Sequence, residues 1–206
     1  MKKRNRAGFT LIELLTVIAI IGILAGIIIP TVSMVKVNAN KTRSKIMLGQ
    51  WVTSMGLFKN EYGYYPQIAS GNKVDPELFF GALTGKTYSG GTADAGKLAG
   101  NTKKLSFYSA ADAEVTSTAA GDTVNGSLKD AFGNTEFACF IDSNNDGIVN
   151  NQDTPALSAQ TVTAVENGKA WAPPSTALNL STGVRAGVIF YSAGRGASAS
   201  DMVYSW

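Results

Sequence analysis

The sequence predicts an α+β protein in which one long N-terminal α-helix packs, through its second half, on a small antiparallel β-sheet head. Three observations support this: an apolar run over residues 9–29, a helical apolar periodicity that continues to about residue 61, and later runs of β-branched and aromatic residues. The 206 residues suffice for one domain or at most two small ones, with room for a buried core.

The apolar run contains a single charged residue, Glu13. As a helix it would be about 31 Å long, which is enough to cross a bilayer. Cationic residues precede it and are absent from it, so the positive-inside tendency places residues 1–8 in the cytoplasm and the rest outside. These cations are Lys2, Lys3, Arg4 and Arg6. A secretory signal peptide has the same layout, but its apolar core is shorter and is followed by a cleavage site, whereas this pattern continues past Pro30.

The composition argues against several functional classes. There is no histidine and one cysteine, Cys139. These counts exclude an intrachain disulfide framework, His-based zinc sites and Ser-His-Asp catalysis, so only rarer arrangements such as Ser-Lys remain and an enzyme is not expected. Without the four leader cations, 14 Lys and Arg face 15 Asp and Glu. The body of the protein therefore lacks the basic excess of a nucleic-acid binder.

The N-terminal sequence KKRNRAG followed by FTLIELLTVIAIIGILAGIIIP resembles the N-terminus of type IV pilins and type II secretion pseudopilins. The resemblance implies a type IV pilin-like fold. It also implies that a prepilin peptidase cleaves after Gly8 and methylates the new N-terminal residue, Phe9, which leaves residues 9–206 as the mature chain. Glu13 is the fifth residue beyond the cut, where the family has a glutamate.

Glu13, Gly22 and Pro30 of this helix are expected to act in assembly. A carboxylate at Glu13 is costly in lipid unless it is paired, and the new amine of Phe9 lies one helical turn away. In the family the glutamate is thought to meet the amine of a neighbouring subunit, while a local effect at the helix N-terminus is the alternative. Gly22 and Gly26 have the four-residue spacing that permits close helix approach, and Pro30 interrupts helical hydrogen bonding. In family filaments the stretch between such a glycine and proline is often unwound.

Beyond Pro30 the helix is predicted to be amphipathic, with Ile46, Trp51, Met55 and Phe58 on its apolar face. Its predicted end is Gly63. We therefore expect a leader at 1–8, a transmembrane and assembly helix at 9–35, and a head at 36–206. The basic stretch 36–45 could bind lipid headgroups, but a solvated helix face is the preferred interpretation.

The head is predicted from local patterns. Residues 63–104 are rich in Gly, Thr, Ser and Ala, which indicates a long connection with one short helix near residues 76–83. The segments 105–109, 135–141 and 183–192 are predicted strands. Cys139 is expected to face the core from the second of them.

Residues 142–153, with the sequence DSNNDGIVNNQD, have the spacing of an EF-hand-type calcium loop. Gly147 occupies the sixth position, where a sharp turn is needed. The twelfth position carries Asp153 in place of the usual Glu, and an Asn/Asp-rich turn without metal is the alternative. We expect one structural calcium ion. The predicted ligands are Asp142, Asn144, Asp146, the carbonyl of Ile148, Asn150 and Asp153.

The head also resembles the major, G-type pseudopilin of type II secretion. Asp130, Gly133 and Asn134 match one motif of that family, and the C-terminal segment matches at Asp201 and Trp206. Arg195 stands where the family often has a calcium-binding aspartate, so the choice between the 142–153 loop and the loop near Asp201 stays open. Many type IV pilins fix this region with a disulfide, whereas G-type pseudopilins use calcium, so the single thiol favours a pseudopilin.

The predicted function is a structural filament subunit for protein secretion. The expected partners are copies of this chain, sibling pilin-like subunits, the prepilin peptidase, an inner-membrane assembly platform and, before assembly, membrane lipid. The subunit is expected first in the inner membrane with its head in the periplasm, and then in a periplasmic or extracellular filament. The alternatives are a type IV pilin for adhesion, motility or DNA uptake, and a calcium-dependent surface binding module.

Overall fold

The computed structural model describes residues 10–88, 99–116, 123–124, 126–153 and 158–206. The chain divides after Ala39 into two compact units, and the second is Asn40–Trp206. The helices are α1 (Leu11–Tyr62) and α2 (Pro76–Thr84). The strands are β1 (Ala69–Ser70), β2 (Lys73–Val74), β3 (Thr87–Tyr88), β4 (Thr123–Val124), β5 (Phe137–Ile141), β6 (Val162–Thr163), β7 (Ala170–Trp171), β8 (Val188–Ser192) and β9 (Val203–Tyr204).

Helix α1 confirms the predicted long helix to within about a residue at each end, and it passes through Gly22, Gly26 and Pro30 without a break. Its most apolar 18-residue window has a mean hydropathy of 2.8 and no buried residue. Among the described residues it is the one helix that is long and apolar enough to cross a membrane. The helix ends where predicted, since Gly63 has φ +84° and its N–H donates to the carbonyl of Lys59 at 2.7 Å.

The second half of α1 supplies one side of the main core. Trp51 is fully buried, and its ring lies 4.8 Å from Phe79 of α2, 4.9 Å from Phe137 of β5 and 5.5 Å from Phe190 of β8, centroid to centroid. The buried face of the helix consists of Met47, Leu48, Trp51, Met55 and Phe58. Ile46 was expected on this face but is 56% exposed, because it lies two residues before the fully buried Leu48, about 200° around the helix from it.

The central sheet has five strands in the order β1-β2-β5-β8-β9, and every neighbouring pair is antiparallel. Strands β5 and β8 pair from Phe137 with Ser192 to Ile141 with Val188. One face of this pair carries Cys139 and Phe190 toward α1, and the other carries Phe140 and Tyr191 toward a second core cluster. Both faces are buried, so the apolar runs predicted at 135–141 and 183–192 are confirmed as strands at their most apolar parts.

The predicted strand at 105–109 is wrong. Its backbone closes the end of α2, because the N–H groups of Phe107 and Tyr108 both donate to the carbonyl of Leu83, at 2.8 and 2.9 Å. The side-chain amide of Asn101 donates to the carbonyls of Ala82 (2.9 Å) and Leu105 (2.6 Å). These contacts use the backbone groups that a strand ladder would need.

Helix α2 confirms the short helix predicted near residues 76–83. Asp75 caps it by accepting from the N–H groups of Glu77 and Leu78, at 2.9 and 3.4 Å, and Pro76 occupies the first turn. Gly85 ends it in the left-handed conformation, with φ +67°. The connection predicted over residues 63–104 includes 89–98, which lie outside the described residues.

Candidate functional site

The first candidate region is the start of α1. Gly8 and Phe9 lie outside the described residues, so the predicted cleavage site stays a prediction. Oε2 of Glu13 accepts from the N–H of Thr10 at 2.8 Å and from the Thr10 hydroxyl at 2.6 Å. The N–H of Glu13 in turn donates to Oγ1 of Thr10 at 3.4 Å. This reciprocal arrangement is a capping box. The local role expected for Glu13 was a helix-dipole effect, although the Thr-x-x-Glu signature of a capping box is present in the sequence.

Along α1 as far as residue 35, the apolar side chains are exposed on nearly every side of the helix. A Cβ built on Gly22 or Gly26 would meet nothing within 4 Å in the described part of the chain. Packing inside this chain therefore does not require glycine at either position. An apolar surface of this extent must be shielded from water, either by lipid or by another protein.

The second candidate region is the loop 142–153, which leaves β5 and returns beside residues 180–187. The N–H of Asp142 donates to the carbonyl of Gly187 at 2.9 Å, and the backbone of Val149 pairs in both directions with Val184 at 2.9 Å. Gly147 adopts φ +83°, so the sharp turn predicted at the sixth position is present. The two ends of the loop are thereby anchored on the head.

The carboxylates of the loop organise its backbone. Asp142 accepts from the N–H groups of Asp146 (3.2 Å) and Gly147 (2.9 Å). Asp153 accepts from the N–H groups of Ser143 and Asn150, each at 2.8 Å, so the last residue of the loop holds its beginning. The remaining predicted side-chain ligands also accept backbone N–H groups within the loop: Asn144 from Asp146, Asp146 from Ile148 and Asn150 from Gln152.

Asp142 and Asp153 are only 3% and 1% exposed. The ion pairs found among the described residues involve Glu61, Glu136 and Glu166, so no Lys or Arg of that part of the chain neutralises either loop carboxylate. Buried carboxylates normally pair with a cation or bind a metal.

The chemistry of the loop fits calcium because every predicted donor is an oxygen, which is the ligand type that calcium prefers. The predicted ligands are not arranged as a complete metal site in the described part of the chain. Within the described ranges, no three His, Cys, Asp or Glu side chains are grouped so that they could hold a metal ion. Calcium ligation by Asn side chains, the Ile148 carbonyl and three Asp residues therefore stays a prediction.

The loop is also attached to the end of α1. Nζ of Lys59 donates to Oδ1 of Asn145 at 2.7 Å and lies 4.3 Å from the ring centroid of Tyr65. Burial raises the pKa of Tyr65, and the negative charge of Asp142 raises it further. The sequence alone does not predict these contacts, since no spacing rule links residues so far apart in the chain.

The motif around Asp130 forms a buried junction. Its Oδ1 accepts from the N–H groups of Phe132 and Asn134, and its Oδ2 from the Asn134 amide and the Ser192 hydroxyl, all at 2.9 Å. Asn134 also donates to the carbonyl of Gly194 at 2.6 Å. Burial raises the pKa of Asp130. The residues that resemble the G-type motif thus join β8 to the C-terminal loop.

The C-terminal loop is closed by hydrogen bonds. Oδ2 of Asp201 accepts from the N–H groups of Ala197 (3.1 Å) and Ser198 (3.2 Å). The indole of Trp171 donates to the carbonyl of Gly196 at 2.8 Å. Arg195 lies 4.0 Å from Glu166, so the position where the family often has an aspartate carries an ion pair at the surface.

Comparison with known proteins matches residues 3–29 to the family described as the prokaryotic N-terminal methylation motif. The chain is 31% identical over 71 residues to the type II secretion system core protein G of Aeromonas hydrophila, which covers 34% of this chain and 50% of that protein. It is 32% identical to the core protein G of Pseudomonas aeruginosa over the same length and shares. No solved structure matches. The chain spans about half the length of these curated relatives, and its resemblance to pilin-like N-termini and to the G-type pseudopilin is confirmed to that extent.

Proposed function

We propose that this chain is a structural, non-enzymatic subunit of a type II secretion pseudopilus. The observation that carries the proposal is the apolar, exposed surface of α1 up to residue 35, most of which lies within residues 3–29 that match the prokaryotic N-terminal methylation motif. We expect such a surface to be covered first by membrane lipid and later by the same helices of neighbouring subunits. The similarity to two core G proteins of type II secretion supports secretion as the process.

In this proposal, residues 1–8 stay in the cytoplasm, residues 9–35 cross the inner membrane and residues 36–206 form a periplasmic head. The prepilin peptidase cleaves between Gly8 and Phe9 and methylates Phe9. An assembly platform then moves the subunit into a filament of this chain and its siblings. Lipid and neighbouring helices cover the same apolar surface in turn, so extraction exposes little of it to water.

Glu13 would set the register of assembly. Both contacts with Thr10 use Oε2, so Oε1 is available to the methylated amine of Phe9 from a neighbouring subunit. In a low-dielectric filament core, an unpaired carboxylate is expensive and a paired one is tolerated. Only the register that brings the amine to Glu13 satisfies both charges. Gly22 and Pro30 would act by permitting close helix approach and local unwinding in the filament.

The experiment compares Glu13→Ala with Thr10→Ala in cells that carry the assembly machinery. Both substitutions remove the capping box, but only the first removes the carboxylate. We expect both variants to be cleaved, Thr10→Ala to form filaments and Glu13→Ala to form none. Normal filaments from Glu13→Ala, or equal loss from Thr10→Ala, would contradict the register role. Cleavage is read by mass, and filaments are read by electron microscopy of sheared fractions.

We also propose that the 142–153 loop holds one structural calcium ion. The support is the pair of buried carboxylates, Asp142 and Asp153, in an all-oxygen donor set. The ion would neutralise them and join β5 to the 180–187 segment. A ligand that binds only the folded state at about 100 times its Kd adds about 2.7 kcal/mol of stability. For a domain of this size, that corresponds to a Tm increase of about 5–10 °C.

The test is thermal melting of the full chain in detergent with calcium and with chelator. Asp146→Asn, at an exposed ligand position, should abolish the calcium-dependent increase in Tm. The matched control Asp112→Asn, an exposed carboxylate outside the loop, should keep it. An increase that survives Asp146→Asn but is lost in Asp201→Asn would move the site to the C-terminal loop. Identical Tm values in calcium and chelator would refute a calcium site.

A further inference from the structure

A pocket of about 290 Å³ opens in the head beside the end of α1. Tyr64 and Tyr65 form one wall, the turn between β1 and β2 forms another, and the end of β5 with the start of the 142–153 loop forms the third. Its lining also includes Ile141 and the buried Cys139. The pocket lies wholly within the unit Asn40–Trp206. The proposed filament contacts do not explain it, and of the predicted side-chain ligands for calcium only Asp142 lines it.

The two tyrosine rings are held in place before any ligand arrives. Tyr64 is 50% exposed, yet its ring packs edge-on against Phe58, with centroids 5.7 Å apart. Its hydroxyl occupies space that Gly100 leaves open, since a Cβ there would lie 2.6 Å from the oxygen. The Tyr65 hydroxyl lies in the same way over Gly187, where a Cβ would come within 1.9 Å. Rings fixed in this way bind a ligand with little loss of conformational entropy.

Apart from Asp142, the polar side chains of the pocket wall are neutral. Its wall carries the side-chain amides of Gln67, Asn72 and Asn145 and the hydroxyl of Ser143. Amides and hydroxyls both donate and accept hydrogen bonds. No Lys or Arg is among the described residues that line it, which argues against phosphate or carboxylate ligands.

A cationic ligand fits poorly as well. The one acidic residue in the wall is Asp142, which is only 3% exposed and so presents little charge to a ligand. One cation, Lys59, already lies over the Tyr65 ring. The chemistry that remains is a neutral molecule with many hydroxyl groups and one flat apolar face.

We infer that this pocket binds a neutral saccharide of about one or two rings, a size that matches the small end of ligand pockets. A pyranose presents C–H groups on one face and hydroxyls around its edge. The C–H face packs on the exposed ring of Tyr64, and the edge hydroxyls exchange hydrogen bonds with Gln67, Asn72 and Asn145. The inference does not depend on the filament role, because the walls are made by the described head alone. The pocket shares Asp142, Ser143 and Asn145 with the proposed calcium loop.

The experiment is saturation-transfer-difference NMR on the full chain in phosphocholine micelles, since sugar-based detergents would compete. The probes are cellobiose, maltose and N,N′-diacetylchitobiose at up to about 10 mM. We expect signal from at least one of them, strongest at the ring C–H protons. Tyr64→Phe keeps the ring and should bind within about threefold of the wild type, whereas Tyr64→Ala should weaken binding about tenfold.

Gln67→Leu provides a second variant at an exposed position that the core does not use, and it should also weaken binding. The matched control is Leu105→Ala, a partly exposed apolar residue outside the pocket, which should bind as the wild type does. Unchanged melting of each variant confirms folding. The inference would be overturned if none of the three sugars gave a signal. It would also be overturned if Tyr64→Ala and Gln67→Leu left the signal intact.

Discussion

Replacing Trp51 by Ala tests whether α1 and the sheet share one core. Trp51 is fully buried, and its ring contacts α2, β5 and β8. A buried aromatic side chain of this kind removes about 150–250 Å² from water, worth about 4–6 kcal/mol at 25 cal/mol per Å². Residual structure in the unfolded chain lowers this figure, and the cavity left by Ala raises it again. We expect a loss of about 3–5 kcal/mol in the free energy of unfolding.

The assay is guanidinium unfolding in detergent, followed by the fluorescence of Trp171 and Trp206, which both variants retain. Leu57→Ala is the matched control, because Leu57 lies on the same helix but is 48% exposed. It should cost less than about 1 kcal/mol. If the two substitutions cost the same, Trp51 does not join the helix to the sheet in the way described.

Three further substitutions test local features of the head. Because burial raises the pKa of Asp130, its stabilising contribution is largest below about pH 4, the unfolded-state value, and is lost as the pH rises through the folded-state pKa. The stability advantage of the wild type over Asp130→Asn should therefore be larger at pH 4 than at pH 7 in denaturant titrations, and the reverse order would contradict this. Gly187→Ala should destabilise the head by about 1–3 kcal/mol, because the new Cβ would lie 1.9 Å from the Tyr65 hydroxyl. Gly49→Ala, in a helical position with nothing within 4 Å, should instead stabilise it by about 0.5–1 kcal/mol in the same titrations.

The elements that the sequence predicted well have strong local signals. Helix α1 follows from its periodicity and ends at Gly63, and α2 begins at an Asp-Pro pair that both caps and starts a helix. Strands β5 and β8 are apolar except for Ser192, because two cores cover them. In each case the residues that decide the structure lie within one turn or one strand of each other.

The features that the sequence missed depend on distant partners. The segment 105–109 has strand composition, but the carbonyl of Leu83 takes the N–H groups that a strand would use. Strands β1 and β2 have only two residues each, which is too short for a periodic signal. The pocket lined by Tyr64 and Tyr65 is also formed by residues far apart in the chain, which become neighbours only in the folded head.

In the candidate site, too, local features could be predicted from the sequence and contacts between distant residues could not. The loop 142–153 was found from its spacing, and the turn at Gly147 is where it was expected. The contact between Lys59 and Asn145 joins residues 86 positions apart and has no local signature. Glu13 combines a local and a distant partner. Its capping partner Thr10 is three residues away and could be predicted from the sequence, whereas the partner proposed for assembly belongs to another chain.

The most direct test of the pseudopilin interpretation is the mass of the N-terminal peptide of the chain isolated from its own cells. We predict that the chain starts at Phe9 and carries one methyl group on its amine. A chain that keeps Met1, or one that starts beyond the apolar stretch of α1, would contradict the proposal that this helix is first a membrane anchor and then the contact between subunits.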